Sequence, residues 1–281
     1  ALLKGNGSDP LLGDIQLRLG QLSDSAGERG DAEKLYSEAV PNFRGGEDTK
    51  GLADALNNLG ALAAKQERHV EAEEAFSEAL DLYTAFEDEN GRAYALCNLG
   101  VVHGGRSRYE NSKMLIEASL ISSRETRNRN VIAASLNNLG VLNSLIGNSP
   151  GALKCFEASM ESTDDLETQE EQDRELVRAV LENISRIRIA ANVPLDDLFE
   201  YVNRKAIDVD ALEGWRLMQR GQELASEGLW KEAWMMMGRG EGALEYGGAL
   251  ASLRFVWCSI SVNDWVNSER LRTSEKRGLK G

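Results

Sequence analysis

The sequence predicts an all-α protein, a solenoid built from antiparallel helix pairs. A block of 40 residues repeats four times without gaps, and apolar residues recur within each block at helical spacing. Each copy carries a Leu-Gly anchor, and the four anchors are Leu19-Gly20, Leu59-Gly60, Leu99-Gly100 and Leu139-Gly140. Because two short helices cannot bury their apolar faces alone, stacked copies are expected to share one core.

Three further positions recur at fixed offsets after each anchor glycine. The small residues at offset twelve are Ala32, Ala72, Ser112 and Ala152. The bulky residues at offset sixteen are Tyr36, Phe76, Ile116 and Phe156, and the small ones at offset nineteen are Ala39, Ala79, Ser119 and Ser159. A glycine inside a helix costs about 1 kcal/mol relative to alanine. Its recurrence therefore predicts a close crossing of the two helices of each unit, with the bulky residue beside it.

Capping signals divide the units into first and second helices. Asp31 is predicted to precede one second helix, and Ser149-Pro150 has the N-cap and first-turn proline pattern of another. Pro41 is predicted to end or kink its helix near Val40.

This arrangement resembles the tetratricopeptide repeat (TPR) family, whose basic unit has 34 residues. The 40-residue period and the phrase Ala55-Leu56-Asn57-Asn58-Leu59-Gly60 are more similar to its long-helix branch, which includes kinesin light chains and Pins-type adaptors. The resemblance covers about residues 11–265 and implies a right-handed superhelix of about six units. The predicted divisions are an N-terminal extension 1–10, four regular units 11–165, degenerate fifth and sixth units 166–246, a capping helix 247–265 and a basic tail 266–281.

Composition restricts the classes of partner. The net charge of −14 repels phosphate backbones, so no nucleic acid is expected, and a partner with a basic segment is easier to accommodate. No apolar run is long enough to insert in a membrane. Three widely spaced cysteines favour a reducing, cytoplasmic compartment over a disulfide framework. The chain begins with Ala1 rather than Met, and we expect a fragment or a processed form.

The residues that carry chemistry do not form a catalytic pattern. His69 and His103 are the two histidines, and neither has a Cys or His partner at metal-ligand spacing. The glycine clusters lack the Gly-Lys-Ser/Thr ending of a phosphate-binding loop. We therefore predict no enzyme activity, no cofactor and no metal, and a packing role for His69.

Candidate binding residues follow from the resemblance, which implies that the first helices line a concave groove. The residue two before each repeat glycine would face it, and these residues are Arg18, Asn58, Asn98, Asn138 and Asn183. In related families the Asn row holds the backbone of an extended peptide, since an amide both donates and accepts. The neighbouring positions expected to set specificity are Asp54, Asn57, Lys65, Tyr94, Asn137, Glu182 and Arg186. The alternative is that the Asn residues bond only to adjacent helices and stabilise the stack.

Two functions remain open on these grounds: an adaptor that binds an extended segment of a partner protein, and a peptide-sensing switch within a larger regulator. A second candidate surface is the C-terminal third, which contains Met235–Met237 and all the tryptophans (Trp215, Trp230, Trp234, Trp257 and Trp265). The alternative is that these residues form a bulkier core. Occupation of the groove by the basic tail is a further hypothesis, since the body of the chain is acidic.

Overall fold

A computed structural model of the chain describes residues 9–163, 171–190 and 195–205, together with scattered residues between 216 and 239. All regular structure in this part of the chain is helical, which confirms the predicted all-α fold of packed helix pairs. The helices are α1 (Pro10–Ser25), α2 (Arg29–Gly45), α3 (Thr49–Lys65), α4 (His69–Ala85), α5 (Glu89–Gly105), α6 (Tyr109–Glu125), α7 (Arg129–Leu145), α8 (Ser149–Thr163), α9 (Glu171–Ala190) and α10 (Asp196–Lys205).

Helices α2 to α7 have 17 residues each and are separated by three-residue turns, so that two helices and two turns give the 40-residue period. Each turn contains a residue with positive φ, 20 positions after the previous one: Gly27, Glu47, Glu67, Glu87, Ser107, Arg127 and Gly147. A left-handed residue is the usual way to end a helix and reverse the chain. Most of these residues are not glycine, so the repeat accepts backbone strain at its turns.

The first helices of the second, third and fourth units begin with equivalent side-chain caps. Asp48, Asp88 and Asn128 accept hydrogen bonds from backbone amides three residues later, at 3.0, 2.9 and 3.2 Å. Each cap satisfies an amide that the first helical turn leaves without a partner. These three residues are again 40 positions apart, so the cap belongs to the repeat.

Some predicted helix boundaries near the second helices are wrong. Asp31 does not precede α2 but lies in its first turn, because the helix begins at Arg29. At α8 the cap is Asn148, which accepts from the Gly151 amide at 3.1 Å, and not Ser149; Pro150 lies in the first turn, as predicted.

Pro41 does not end its helix, because α2 continues to Gly45. A proline removes the hydrogen bond to the carbonyl four residues earlier, here that of Ser37. Both residues are exposed, so water can bond to that carbonyl and the helix can continue.

The close crossing predicted at the anchor glycines is confirmed. A Cβ atom built on Gly60 would lie 2.9 Å from Phe76 Cδ1, and one on Gly100 would lie 2.4 Å from Ile116 Cγ1. The ring or branched side chain at offset sixteen is fully buried against the glycine backbone. At Ser112 the small residue also contributes a hydrogen bond, from its Oγ to the Gly100 carbonyl at 2.7 Å.

The chain divides into two compact units between Val131 and Ile132. In the first unit, Phe76, Leu99 and Val102 belong to one apolar cluster. In the second, helices α8, α9 and α10 share a cluster that includes Phe156, Leu181 and Leu198.

Helices α9 and α10 lie where the degenerate fifth unit was predicted, although the predicted domain divisions themselves stay a prediction. The capping helix 247–265, the basic tail 266–281 and all five tryptophans lie outside the described residues. Within the described residues, no helix is both long and apolar enough to cross a bilayer.

Candidate functional site

In the first of the two compact units, the predicted asparagines lie on α3 and α5, which are the first helices of successive repeats. Asn98 Nδ2 donates a hydrogen bond to Asn57 Oδ1 at 3.2 Å. Asn57, Asn58 and Asn98 are all buried. The structure therefore brings these predicted residues together, and it joins neighbouring first helices through an amide pair.

The second compact unit contains the same kind of amide pairing, between α7 and α9. Asn183 Nδ2 donates to Asn137 Oδ1 at 2.9 Å, and Asn137 Nδ2 is 3.3 Å from Asn138 Oδ1. These three residues are also buried. A side-chain amide can make up to four hydrogen bonds, so bonding to a neighbouring helix does not by itself exclude bonding to a ligand.

Asp54 is a buried carboxylate on α3, three residues before Asn57. The Tyr83 hydroxyl donates to its Oδ1 at 2.8 Å. Burial raises the pKa of Asp54 to about 6, and the nearby Lys50 and the Tyr83 hydrogen bond only partly offset this effect. Burial and the Asp54 charge also raise the pKa of Tyr83. The sequence did not indicate Tyr83 as the partner of this carboxylate.

Tyr94 and Lys65 both make contacts between repeats. The Tyr94 hydroxyl accepts from Asn128 Nδ2 at 3.3 Å, and Tyr94 itself is buried. Lys65 Nζ lies 3.2 Å from Asp24 Oδ2, and both side chains are largely shielded from solvent. This ion pair joins α3 to the end of α1, the first helix of the preceding unit.

The remaining predicted residues are less enclosed, apart from Glu182. Arg18 pairs with Asp14 of its own helix at 2.9 Å, and it is half-buried. Arg186 is half-buried on α9, whereas Glu182 on the same helix is buried. The nitrogen atoms of the Arg186 guanidinium are themselves buried, so Arg18 and Lys65 are the predicted site residues whose cationic side chains keep partial access to solvent.

A charged cluster around Glu73 was missed by the sequence analysis. Arg108 holds the Glu73 carboxylate with two hydrogen bonds, at 3.0 and 2.8 Å, and Arg106 also contacts it. The Arg108 hydrogen bonds lower the pKa of Glu73. His103 Nε2 lies 3.4 Å from the same carboxylate, and burial, followed by the Arg108 charge, lowers the pKa of His103. A carboxylate held by arginines is a poor proton acceptor, so the cluster favours a structural role.

The 40-residue period could have revealed part of this cluster. One repeat earlier, Arg68 pairs with Glu33 at 2.5 Å, and both positions precede Arg108 and Glu73 by 40 residues. Oppositely charged residues at a constant offset in a repeat indicate a contact between units.

Neither thiols nor metal-binding groups add a second site within the described part of the chain. Cys97 is buried and Cys155 is half-buried, neither forms a disulfide, and burial raises the pKa of Cys155. No group of three or more His, Cys, Asp or Glu side chains is arranged there to hold a metal ion.

The paired helices, anchor glycines and 40-residue period define a helical repeat protein. The sequence profile of the tetratricopeptide repeat matches residues 14–85 and again residues 51–111. The match to the tetratricopeptide repeat over residues 14–111 confirms the predicted resemblance. Repeats of this family serve in general as non-catalytic interaction modules.

Solved structures extend the likeness beyond the matched repeats. BtubC (BKLC) from P. vanneervenii has 18% sequence identity and a TM-score of 0.53, with 90% of this chain and 87% of that chain covered. A Rap protein, solved in complex with competence and sporulation factor, has 14% identity and a TM-score of 0.55, with 86% and 78% covered. At these identities the likeness concerns the fold alone. No curated protein matches the sequence.

Proposed function

We propose that this chain is a non-catalytic adaptor that binds an extended segment of a partner protein along the asparagine-bearing faces of its first helices. The observation that supports the proposal is the constant register of the asparagines, which brings side-chain amides of successive first helices together, Asn98 with Asn57 and Asn183 with Asn137. Peptide-like amides placed at a constant register can bond to the backbone of an extended segment whatever its sequence.

Burial of these amides adds a condition to the proposal. Asn58, Asn98, Asn138 and Asn183 are at most 2% exposed, so a peptide can reach them only if the face opens. Binding is therefore expected to be coupled to a conformational change, and its affinity is reduced by the free energy of opening.

Charge indicates the kind of segment that fits. The body of the chain is acidic, with a net charge of −14, so a basic segment would be attracted and a nucleic acid repelled. The attraction acts through exposed carboxylates and is screened by salt. We infer an affinity that decreases as ionic strength rises, while the amide contacts, which are not charged, persist.

The test is a pull-down from native lysate with mass-spectrometric readout. It compares the wild type with the variant Asn58→Ala, Asn98→Ala, Asn138→Ala and with the control Asn111→Ala, Asn203→Ala. The two control residues are exposed asparagines on α6 and α10. Removing a buried amide costs on the order of 1 kcal/mol per hydrogen bond. Urea unfolding and circular dichroism must therefore first define a temperature at which all three proteins are folded.

A partner that the wild type and the control retain, and that the triple variant loses, supports binding at the asparagine faces. Equal capture by all three folded proteins would show that the amides serve only to hold the helices together. Partially exposed cations such as Arg18 and Lys65 would then be the next residues to replace.

Burial of the asparagine faces also favours the second candidate, a peptide-sensing module of a larger regulator. A buried site that must open on binding has two conformations whose populations a peptide can shift. Small-angle X-ray scattering with and without a short basic peptide separates the candidates. A large change in radius of gyration on binding the isolated peptide supports the sensor. A stable complex recovered from lysate, with an opening too local to change the radius of gyration, supports the adaptor.

A further inference from the structure

Helix α1 carries an apolar stripe on the face opposite to its contact with α2. The stripe consists of Leu11, Leu12, Ile15, Leu19 and Leu22, whose exposed fractions lie between 44% and 67%. The other face of α1 packs on α2 through its buried glycines, since a Cβ on Gly20 would lie 2.6 Å from Tyr36 Cε1. Five large apolar residues on one face of a helix form a contiguous exposed patch, whereas apolar residues on an ordinary protein surface are scattered singly.

The repeat itself shows that this face is built to be covered. The residues of α5 in the register of Leu19 and Leu22 are Leu99 and Val102, which are buried. Both share an apolar cluster with Phe76 of α4, the preceding helix. Helix α1 is the first of the described helices, so its equivalent face has no such neighbour among them.

Leu11 restricts what can cover the stripe. At the equivalent positions of α3 and α5 the chain has Gly51 and Gly91, whose Cβ atoms would lie 2.3 Å from the Phe43 ring and 2.1 Å from the Tyr83 ring. A leucine occupies the space that these rings fill. A covering helix with an aromatic ring at that point, as in α2 and α4, therefore does not fit.

The spacing of the stripe is symmetric. Leu12, Ile15, Leu19 and Leu22 are separated by three, four and three residues, so the pattern reads the same in both directions. Two copies of α1 packed antiparallel place Leu12 opposite Leu22 of the other copy, and Ile15 opposite Leu19. This self-complementarity is what a two-fold interface requires, and three-four spacing suits helix packing at a shallow crossing angle.

We propose that the exposed stripe of α1 is a homodimer interface, with two copies of the chain joined by an antiparallel α1–α1 pair. Five roughly half-exposed side chains per copy correspond to about 1,000 Å² of total buried surface, at the lower end for specific interfaces. The dimer is therefore weak, with dissociation in the micromolar range. Because each copy has a charge of −14, added salt strengthens the association.

The test is sedimentation equilibrium of the full 281-residue chain between about 1 and 100 µM. The wild type should change from 30.9 kDa towards twice that mass as its concentration rises. The variant Ile15→Glu, Leu19→Glu should remain a monomer throughout. The control Met114→Glu, Ile121→Glu should behave as the wild type, because it places the same charges on exposed apolar residues of α6. A monomeric wild type, or a variant that still dimerises, overturns the proposal.

Cross-linking tests the orientation. In a background with Cys155→Ser and Cys258→Ser, the pair Leu12→Cys, Leu22→Cys should form disulfides between copies, since these positions face each other. A disulfide needs Cα atoms within about 7 Å, whereas the two positions are about 15 Å apart on one helix. Leu12→Cys alone should not cross-link, because the two copies of residue 12 are also about 15 Å apart. Equal cross-linking by the single variant overturns the antiparallel arrangement.

Capture of a different protein by the stripe, with the wild type still monomeric, also counts against a second copy as the occupant. The same holds if deletion of residues 1–8 is needed before any dimer forms, because the chain's own N-terminus would then compete for the face.

Discussion

Asp54→Asn should stabilise this protein at neutral pH and leave it unchanged near pH 4. In the wild type the carboxylate is buried, and it accepts a hydrogen bond from the Tyr83 hydroxyl at 2.8 Å. An asparagine keeps an oxygen at this position and removes the charge. The replacement therefore isolates the cost of holding an ionised carboxylate in the helix stack.

The magnitude follows from the pKa of Asp54, which burial raises from 3.8 to about 6. Each pKa unit corresponds to about 1.4 kcal/mol, so the shift represents on the order of 3 kcal/mol. Because the folded state binds the proton more tightly, the wild type gains this stability as pH falls from about 6 to about 4. Above pH 6 the folded protein carries the full cost, and the asparagine variant does not.

The assay is urea unfolding followed by circular dichroism at several pH values between 4 and 8. We expect the stability difference between Asp54→Asn and the wild type to increase from near zero at pH 4 to about 2–3 kcal/mol at pH 7.5. Asp81→Asn, which replaces an exposed carboxylate of α4, serves as the control and should show no such increase. A difference that is constant with pH, or a variant less stable than the wild type at pH 7.5, would refute this reasoning.

Two further predictions concern glycine and the turns. Gly100→Ala should lower the free energy of unfolding by about 1–3 kcal/mol, because the new Cβ would lie 2.4 Å from Ile116 Cγ1. Gly30→Ala, whose Cβ meets nothing within 4 Å, should instead raise it by about 0.5 kcal/mol, and thermal unfolding distinguishes the two. Glu87→Gly should raise stability by about 0.5–1 kcal/mol, because Glu87 has a φ of 58°. The control Glu74→Gly, within α4, should lower the free energy of unfolding by about 1 kcal/mol. Urea titrations measure both variants, and equal effects of the two Glu→Gly changes would contradict a role for the left-handed turn.

Much of the fold was predictable because the repeat presents the same physical problem several times. A single pair such as Gly60 and Phe76 does not show that the two residues are in contact. Equivalent pairs recur at a constant offset in four copies of the repeat. This recurrence indicates that the bulky side chain packs directly against the backbone of the glycine, where another side chain would not fit. The all-α class, the helix pairing and the close crossing could therefore be predicted from spacing alone.

Local boundaries were less predictable, because several competing caps are available near each helix start. Ser149 is a good N-cap residue, yet Asn148 caps α8 because the chain leaves the left-handed turn at Gly147 one residue earlier. The strained turn at Glu87 was also not indicated, since glutamate disfavours positive φ. Packing of the helices on both sides holds such residues in place.

The sequence by itself determined the repeat, its 40-residue register and the acidic net charge of the chain. Only the tertiary structure decided which candidate side chains are accessible. The register that predicted Asn58 and Asn98 as groove residues also places them beside a neighbouring repeat, and there Asn98 bonds to Asn57 of the preceding repeat and is buried. Burial depends on neighbours far apart in the chain, and for that reason the periodicity identified the asparagine register but not its exposure.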